Sequence, residues 1–175
     1  MRDSYERVID PDLDHTDSTL NVPPHPRQPR ITFHRFVTVT LIGLGGGCGT
    51  LARWGLETNF PAPDQTIPWT TMGINALGAG LLGVLLAWLT GSGPDQGWRR
   101  RVRLTFGTGL IGGFTTYSAF SIETVALLST NRWWIGIVYS ILTLVVGLLA
   151  AGFGDRLTVA VLRRGTGVHI IQEAR

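Results

Sequence analysis

After about residue 35 the chain is dominated by uncharged apolar runs. Phe36–Ala52, Trp69–Thr90, Leu104–Ile122 and Trp133–Gly154 contain no Asp, Glu, Lys or Arg. A helix needs roughly 20 residues to cross a bilayer. The first run stops short at Arg53 and reaches that length if the arginine snorkels or faces protein. Four such runs leave almost no polar face for water, which sets a soluble helical core aside. The pattern predicts an all-α, integral membrane, four-helix subunit over residues 36–162, with spans at about 36–56, 69–90, 102–129 and 133–157.

The flanks read differently. Residues 1–35 mix acids with arginines, carry Pro23-Pro24-His25-Pro26 and show no apolar periodicity. They read as a disordered N-terminal tail. No secretory signal is expected, because the first apolar run follows an acidic, proline-rich lead. His15, His25 and His34 are scattered and make a poor metal set. Residues 163–175 read as a short C-terminal tail.

The third run is the least uniform. Gly109, Gly112 and Gly113 precede Thr115, Thr116, Tyr117, Ser118, Phe120, Ser121 and Glu123. Glycine lowers helix stability, and hydroxyls offer the backbone other partners. The helix should break near Gly112–Thr116. Broken backbone inside a bilayer is tolerated only where protein or a water-filled cavity surrounds it. This stretch should therefore face a partner, an ion or a pore.

Small residues four apart permit close helix approach: Gly43/Gly47 and Gly45/Gly49 in the first run, Ala76/Gly80 and Ala79/Gly83 in the second. The glycines do not match a dinucleotide fingerprint, and no Lys follows for a phosphate loop. Arg53 either ends a helix at the interface or is a buried cation beside an anion path. Thr71 and Asn75 share a helix face. Asn75 either ties helices together or donates its amide to an anion. Tyr139, Thr143 and Gly147 form one stripe. Cys48, the one cysteine, excludes a disulfide framework within the chain and reads as a small packing residue.

Composition adds a topology. All 15 basic residues are arginine. Near the span ends, one side would hold ten (Arg27, Arg30, Arg35, Arg99, Arg100, Arg101, Arg103, Arg156, Arg163, Arg164), the other two (Arg53, Arg132). This bias predicts one fixed orientation in the cell (inner or plasma) membrane, multi-pass, with both termini cytoplasmic. No nucleophile–base pair or metal-ligand cluster is visible, so an enzyme is not expected.

Three motifs in order resemble the CrcB/Fluc family of small fluoride channels. They are Gly45-Gly46-x-x-Gly49-Thr50-x-x-Arg53-Trp54, Thr70-Thr71-Met72-x-Ile74-Asn75-x-x-Gly78, and Gly112-Gly113-Phe114-Thr115-Thr116-Tyr117-Ser118-Ala119-Phe120 with Glu123 beyond. The resemblance covers roughly residues 37–154. It departs at Tyr117, where Phe is usual, at Ala119, where Thr is usual, at Gly80, where Phe is common, and at Gly147, where a hydroxyl often stands.

The resemblance implies an antiparallel, dual-topology-type dimer with two fluoride pores and a broken third helix. It implies a structural sodium ion at the dimer interface, held by the carbonyls of Gly112 and Thr115. By position, Asn75, Tyr117, Phe120, Thr71, Ser118, Tyr139 and Thr143 would line the fluoride path, and Arg53 and Glu123 would stand at a vestibule or pore end. The implied job is passive fluoride export that relieves fluoride toxicity. Fluoride, the lipid bilayer and a second chain are the implied partners; nucleic acid is not. The chemistry is coherent. Fluoride is strongly hydrated, so close donors must replace its water. Ring edges carry partial positive charge, and a fixed cation offsets the cost of burying an anion. An antiparallel dimer needs both orientations, so the arginine bias predicts a homologous partner of reversed bias. A proton-coupled multidrug-type exporter is the rival reading. It needs an intramembrane carboxylate, for which Glu123 is the acidic candidate. An accessory membrane subunit would require neither Asn75 nor a broken helix.

Overall fold

Close backbone approach decides how these helices meet. A computed structural model describes residues 33–62, 66–131 and 133–173, with the backbone path alone for 33–35 and 165–173. The expected N-terminal tail up to residue 32, with His15 and His25, and Arg132 in the topology argument lie outside the described residues. The elements are α1 (Phe33–Asn59), α2 (Trp69–Gly91), α3 (Gly97–Val102), a π-helical segment (Arg103–Ile111), α4 (Gly112–Phe114), α5 (Tyr117–Leu128) and α6 (Trp133–Glu173). No strand occurs among the described residues.

Two packed pairs build the fold, and glycine makes both possible. α1 lies against the π-helical segment and α4. A Cβ on Gly45 would fall 2.6 Å from the Thr105 carbonyl oxygen, and one on Gly109 would fall 2.7 Å from that of Ile42. A Cβ on Gly49 would run into the Leu110 carbonyl, and one on Gly113 into that of Gly46. Gly43 and Gly47 face open space instead. Two residues advance about 200° around a helix, so only one of the two four-residue glycine pairs can face a given neighbour. α2 meets α6 in the same way: Gly83 lies on the Ala151 carbonyl and Gly154 on the Gly80 carbonyl. Gly80 and Gly83 therefore do the work foreseen for the small residues of the second run.

The third run breaks where expected, for one of the two reasons expected. Thr115 (φ −75°, ψ 156°) and Thr116 (φ −142°, ψ 125°) are extended, whereas Gly112 (φ −63°, ψ −36°) stays helical. The glycines are needed to let α1 approach. The threonines, whose hydroxyls compete for backbone partners, make the break. Upstream the chain is π-helical for nine residues, a rare form that recurs at functional sites.

Some boundaries move. Glu57 belongs to α1, past the expected end of the first span at about residue 56; the connection to α2 is pinned further on, where Thr70 Oγ1 donates to the Phe60 carbonyl. The arginine-rich connection between the second and third spans contains α3. α6 runs on through Glu173 and, at 41 residues, is about 60 Å long, twice a hydrocarbon core. Cys48 is exposed and does not pack inside the subunit. Its place on α1 turns it away from the third run, which Gly45 and Gly49 face.

Three helices are long and apolar enough to cross a membrane: Phe36–Asn59, Trp69–Gly91 and Trp133–Arg164. The third run lacks a single helix of that length because Thr115 and Thr116 divide it. Large apolar side chains point outward; Leu148 is 74% and Ile122 71% exposed. Inside lies a small cluster of Leu127, Ile135 and Tyr139, with Ile67, Met72 and Phe120 packed on it. An apolar exterior with a sparse core suits lipid or a partner chain as surroundings.

Candidate functional site

The break is held by one side chain. Asn75 Nδ2 donates to the Thr116 carbonyl at 2.9 Å, and the Thr116 N–H donates to Asn75 Oδ1 at 2.8 Å. The amide thus imitates a paired strand and satisfies both backbone groups of the extended residue. Asn75 ties helices together, and its second amide hydrogen is still available for another acceptor. Thr116 then caps α5: its Oγ1 accepts from the Ala119 N–H at 3.1 Å and lies 3.2 Å from Ser118 Oγ.

These bonds redirect two N–H groups. In an unbroken helix the Thr116 N–H would close on the Gly112 carbonyl and the Ala119 N–H on the Thr115 carbonyl. Here they go to Asn75 and to the Thr116 hydroxyl. The carbonyls of Gly112 and Thr115 are relieved of those helical donors. The Gly113 carbonyl has its own replacements: Thr50 Oγ1 at 3.3 Å and Arg53 Nε at 3.4 Å.

Beside the break runs a groove of about 440 Å³, lined by Asn75, Thr115, Thr116, Tyr117, Phe120, Thr143 and Gly147, with Ala79, Leu144, Leu148 and Ala151 as apolar walls. Thr143 Oγ1 is buried there without a hydrogen-bond partner. Three rings follow one another along this side. Tyr117 and Phe120 have centroids 6.1 Å apart, and Phe120 and Tyr139 5.4 Å apart. Tyr117 is 81% exposed on the subunit surface.

The ring series leads to a carboxylate. Thr71 Oγ1 donates to Glu123 Oε1 at 2.6 Å, and Tyr139 OH donates to Glu123 Oε2 at 2.7 Å. Both donors are buried, Tyr139 completely. Thr71, Glu123 and Glu57 also line a second hollow of about 360 Å³ with Thr70 and Phe60. The candidate residues therefore form two connected groups. Asn75, Tyr117, Phe120 and Thr143 line the groove, with Ser118 joined through Thr116. Thr71, Tyr139 and Glu123 form a hydrogen-bonded cluster behind Phe120.

Arg53 lies apart from both groups. Besides the Gly113 carbonyl it contacts Glu57, with Nη1 3.3 Å from each carboxylate oxygen. Its guanidinium is partly neutralised and braces α1 against α4. Thr116, Thr50 and Glu57 were not singled out from sequence as functional residues. Each carried a local signal: a Thr just before a helical run for a cap, Thr50 and Arg53 three apart on one face, and Arg53 and Glu57 four apart.

Residues 40–155 match the family model described as CrcB-like protein, Camphor Resistance (CrcB). The chain belongs to the CrcB family. Among its relatives is "Fluoride-specific ion channel FluC 1" of Cutibacterium acnes, 44% identical over 67% of this chain and 82% of the relative. "Fluoride-specific ion channel FluC 2" of Leifsonia xyli subsp. xyli is 43% identical over 73% of this chain and 88% of the relative. A Streptomyces coelicolor protein named as FluC 1 is 38% identical over 64% of this chain and 71% of the relative. As a CrcB-family chain with three apolar spanning helices, this is a multi-pass membrane protein.

Proposed function

We propose that this CrcB-family chain is a subunit of a fluoride-selective channel for passive fluoride export. One observation carries the reading. A groove beside a broken helix gathers an amide with a spare N–H, the hydroxyl of Thr143 and two aromatic rings, with no fixed charge among its lining residues. Such a lining replaces water around a small anion without holding it too tightly to leave. The names of the relatives point to the same ion. Asn75, Thr143, Tyr117 and Phe120 are the first contacts, and Ser118 adds a hydroxyl. Thr71 and Tyr139 continue the path toward Glu123, which lies at its end. Arg53 serves the vestibule as an attractor weakened by Glu57.

A structural sodium ion fits the carbonyls of Gly112 and Thr115, because the break redirects the N–H groups that would otherwise occupy them. Hard oxygen ligands from broken membrane helices suit this cation. Bound there, it supplies a fixed positive charge near the path. Gly112 is exposed on the subunit surface, as a ligand shared across a dimer interface must be. The dimer is antiparallel, and the partner is a homologous chain of opposite charge bias.

Proteoliposomes loaded with fluoride test the function. Fluoride should leave down its gradient, and chloride far more slowly. Absence of fluoride flux, both alone and with a homologous partner chain, would overturn the reading.

A further inference from the structure

At the end of α2 farthest from Trp69, a pocket of about 330 Å³ is lined by Leu86, Leu89, Thr90, Gly93, Asp95, Arg99 and Arg103. We propose that this pocket binds the headgroup phosphate of an anionic phospholipid, with Arg99 as the principal donor. Arg99 Nε is buried and has no hydrogen-bond partner. Its guanidinium lies 5.3 Å from the centroid of the Trp98 ring. Gly93, at φ 124°, leaves the room it uses, since a Cβ there would come within 3.2 Å of the guanidinium carbon. The one carboxylate in the pocket is already engaged by Arg103: Asp95 Oδ2 accepts from Arg103 Nε at 3.0 Å and Nη2 at 2.7 Å. Among the described residues no ion pair involves Arg99, Arg100 or Arg101.

The level in the bilayer fits. Trp69 and Trp88 stand 19 positions apart on α2, about 29 Å along the axis, close to the thickness of a hydrocarbon core. Trp88 pairs with Trp98 at 5.8 Å between centroids, and both are exposed. Tryptophans at both ends of a span mark the headgroup level. The arginine pocket therefore opens where lipid phosphates lie. A guanidinium fork matches phosphate oxygens in pairs. An anionic lipid is favoured over a zwitterionic one because the latter brings its own cation toward Arg99, Arg100 and Arg101, which form no ion pair among the described residues. It is favoured over free phosphate because Leu86 and Thr90 also border a neighbouring groove, where Ala87, Val159 and Leu162 offer apolar surface to acyl chains beside Asp155 and Arg163.

Tryptophan quenching by brominated lipids tests this with the full chain in phosphatidylcholine liposomes. At equal mole fraction, brominated phosphatidylglycerol should quench more than brominated phosphatidylcholine. Arg99→Gln should shift the half-quenching point to about fivefold more phosphatidylglycerol, the equivalent of one arginine contact. Arg164→Gln should leave it unchanged. Arg99→Lys, which keeps charge and fold but loses the fork, should weaken the preference. Inorganic phosphate at matched ionic strength should not displace the signal. Equal quenching by the two lipids, wild-type behaviour of both Arg99 variants, or displacement by free phosphate would each overturn the proposal.

Discussion

At the scale of single residues, Asn75 is the one on which the break depends. Asn75→Ala would leave both the N–H and the carbonyl of Thr116 unpaired. An unsatisfied buried group costs about 1–3 kcal/mol, so unfolding in detergent should become easier by about 2–6 kcal/mol for the two together, measured by denaturant titration. Asn75→Asp keeps one acceptor, loses the donor and adds a carboxylate; flux should fall further than stability does. The Glu123 cluster makes a second prediction. Tyr139→Phe and Thr71→Val each remove one donor from a shared carboxylate, and residues in one hydrogen-bond network do not add. A double-mutant cycle on stability should show a coupling of about 0.5–3 kcal/mol. Asp95 gives the pH prediction. The hydrogen bonds of Arg103 hold its carboxyl below the usual carboxylate range. A lowered folded value means that the pin persists above the unfolded carboxylate's titration and is lost as pH falls through the folded one. The Trp88–Trp98 fluorescence should be flat from neutral into mild acid and change only beyond it. The side chains of Asn75 and Glu123 were legible as polar residues in apolar runs. Their partners were not, because Thr116 lies 41 residues from Asn75 and Thr71 lies 52 from Glu123.

At the scale of elements, glycine position separates packing from decoration. Gly113→Ala would drive a methyl group into the Gly46 carbonyl and force α1 away from α4. Backbone in both neighbours cannot yield cheaply, so folded protein should be largely lost on size-exclusion chromatography. Gly152→Ala meets nothing within 4 Å and gains about 0.5–1 kcal/mol of helix propensity; its melting temperature should hold or rise. The sequence showed four-residue glycine spacing but not which pair faced a neighbour. Helix rotation about its own axis decides that, and rotation is set by the whole packing problem. The break is the converse case. Its location was legible from composition, while which of the two expected causes acts, threonine and not glycine, needed the observed dihedrals.

At the scale of the whole molecule, the arginine bias and the apolar exterior act together. If the four apolar runs all cross the bilayer, ten arginines near their ends fall on one side and two on the other, which should insert this chain in a single orientation. Labelling of both termini in intact cells should find them on one side in nearly all copies. A near-equal mixture of orientations would remove the need for a second homologous chain. Replacing sodium with a large organic cation should weaken the assembled dimer and its flux together if the carbonyls of Gly112 and Thr115 hold the ion, and should leave the separate subunit's helix content unchanged.

The sequence by itself determined the solvent of this protein and the position of its chemistry along the chain. Uncharged runs of bilayer length, arginine at their ends and a hydroxyl-rich interruption after Gly113 follow from local composition, and local composition is what lipid and helix backbone respond to. Only the tertiary structure decided which polar groups share a site. It joined Asn75 to Thr116 across the break, drew Thr71 and Tyr139 onto Glu123, and sent Arg53 to the Gly113 carbonyl and Glu57. Those choices depend on the depth and rotation at which each helix settles, and close glycine contacts far apart in the chain fix both.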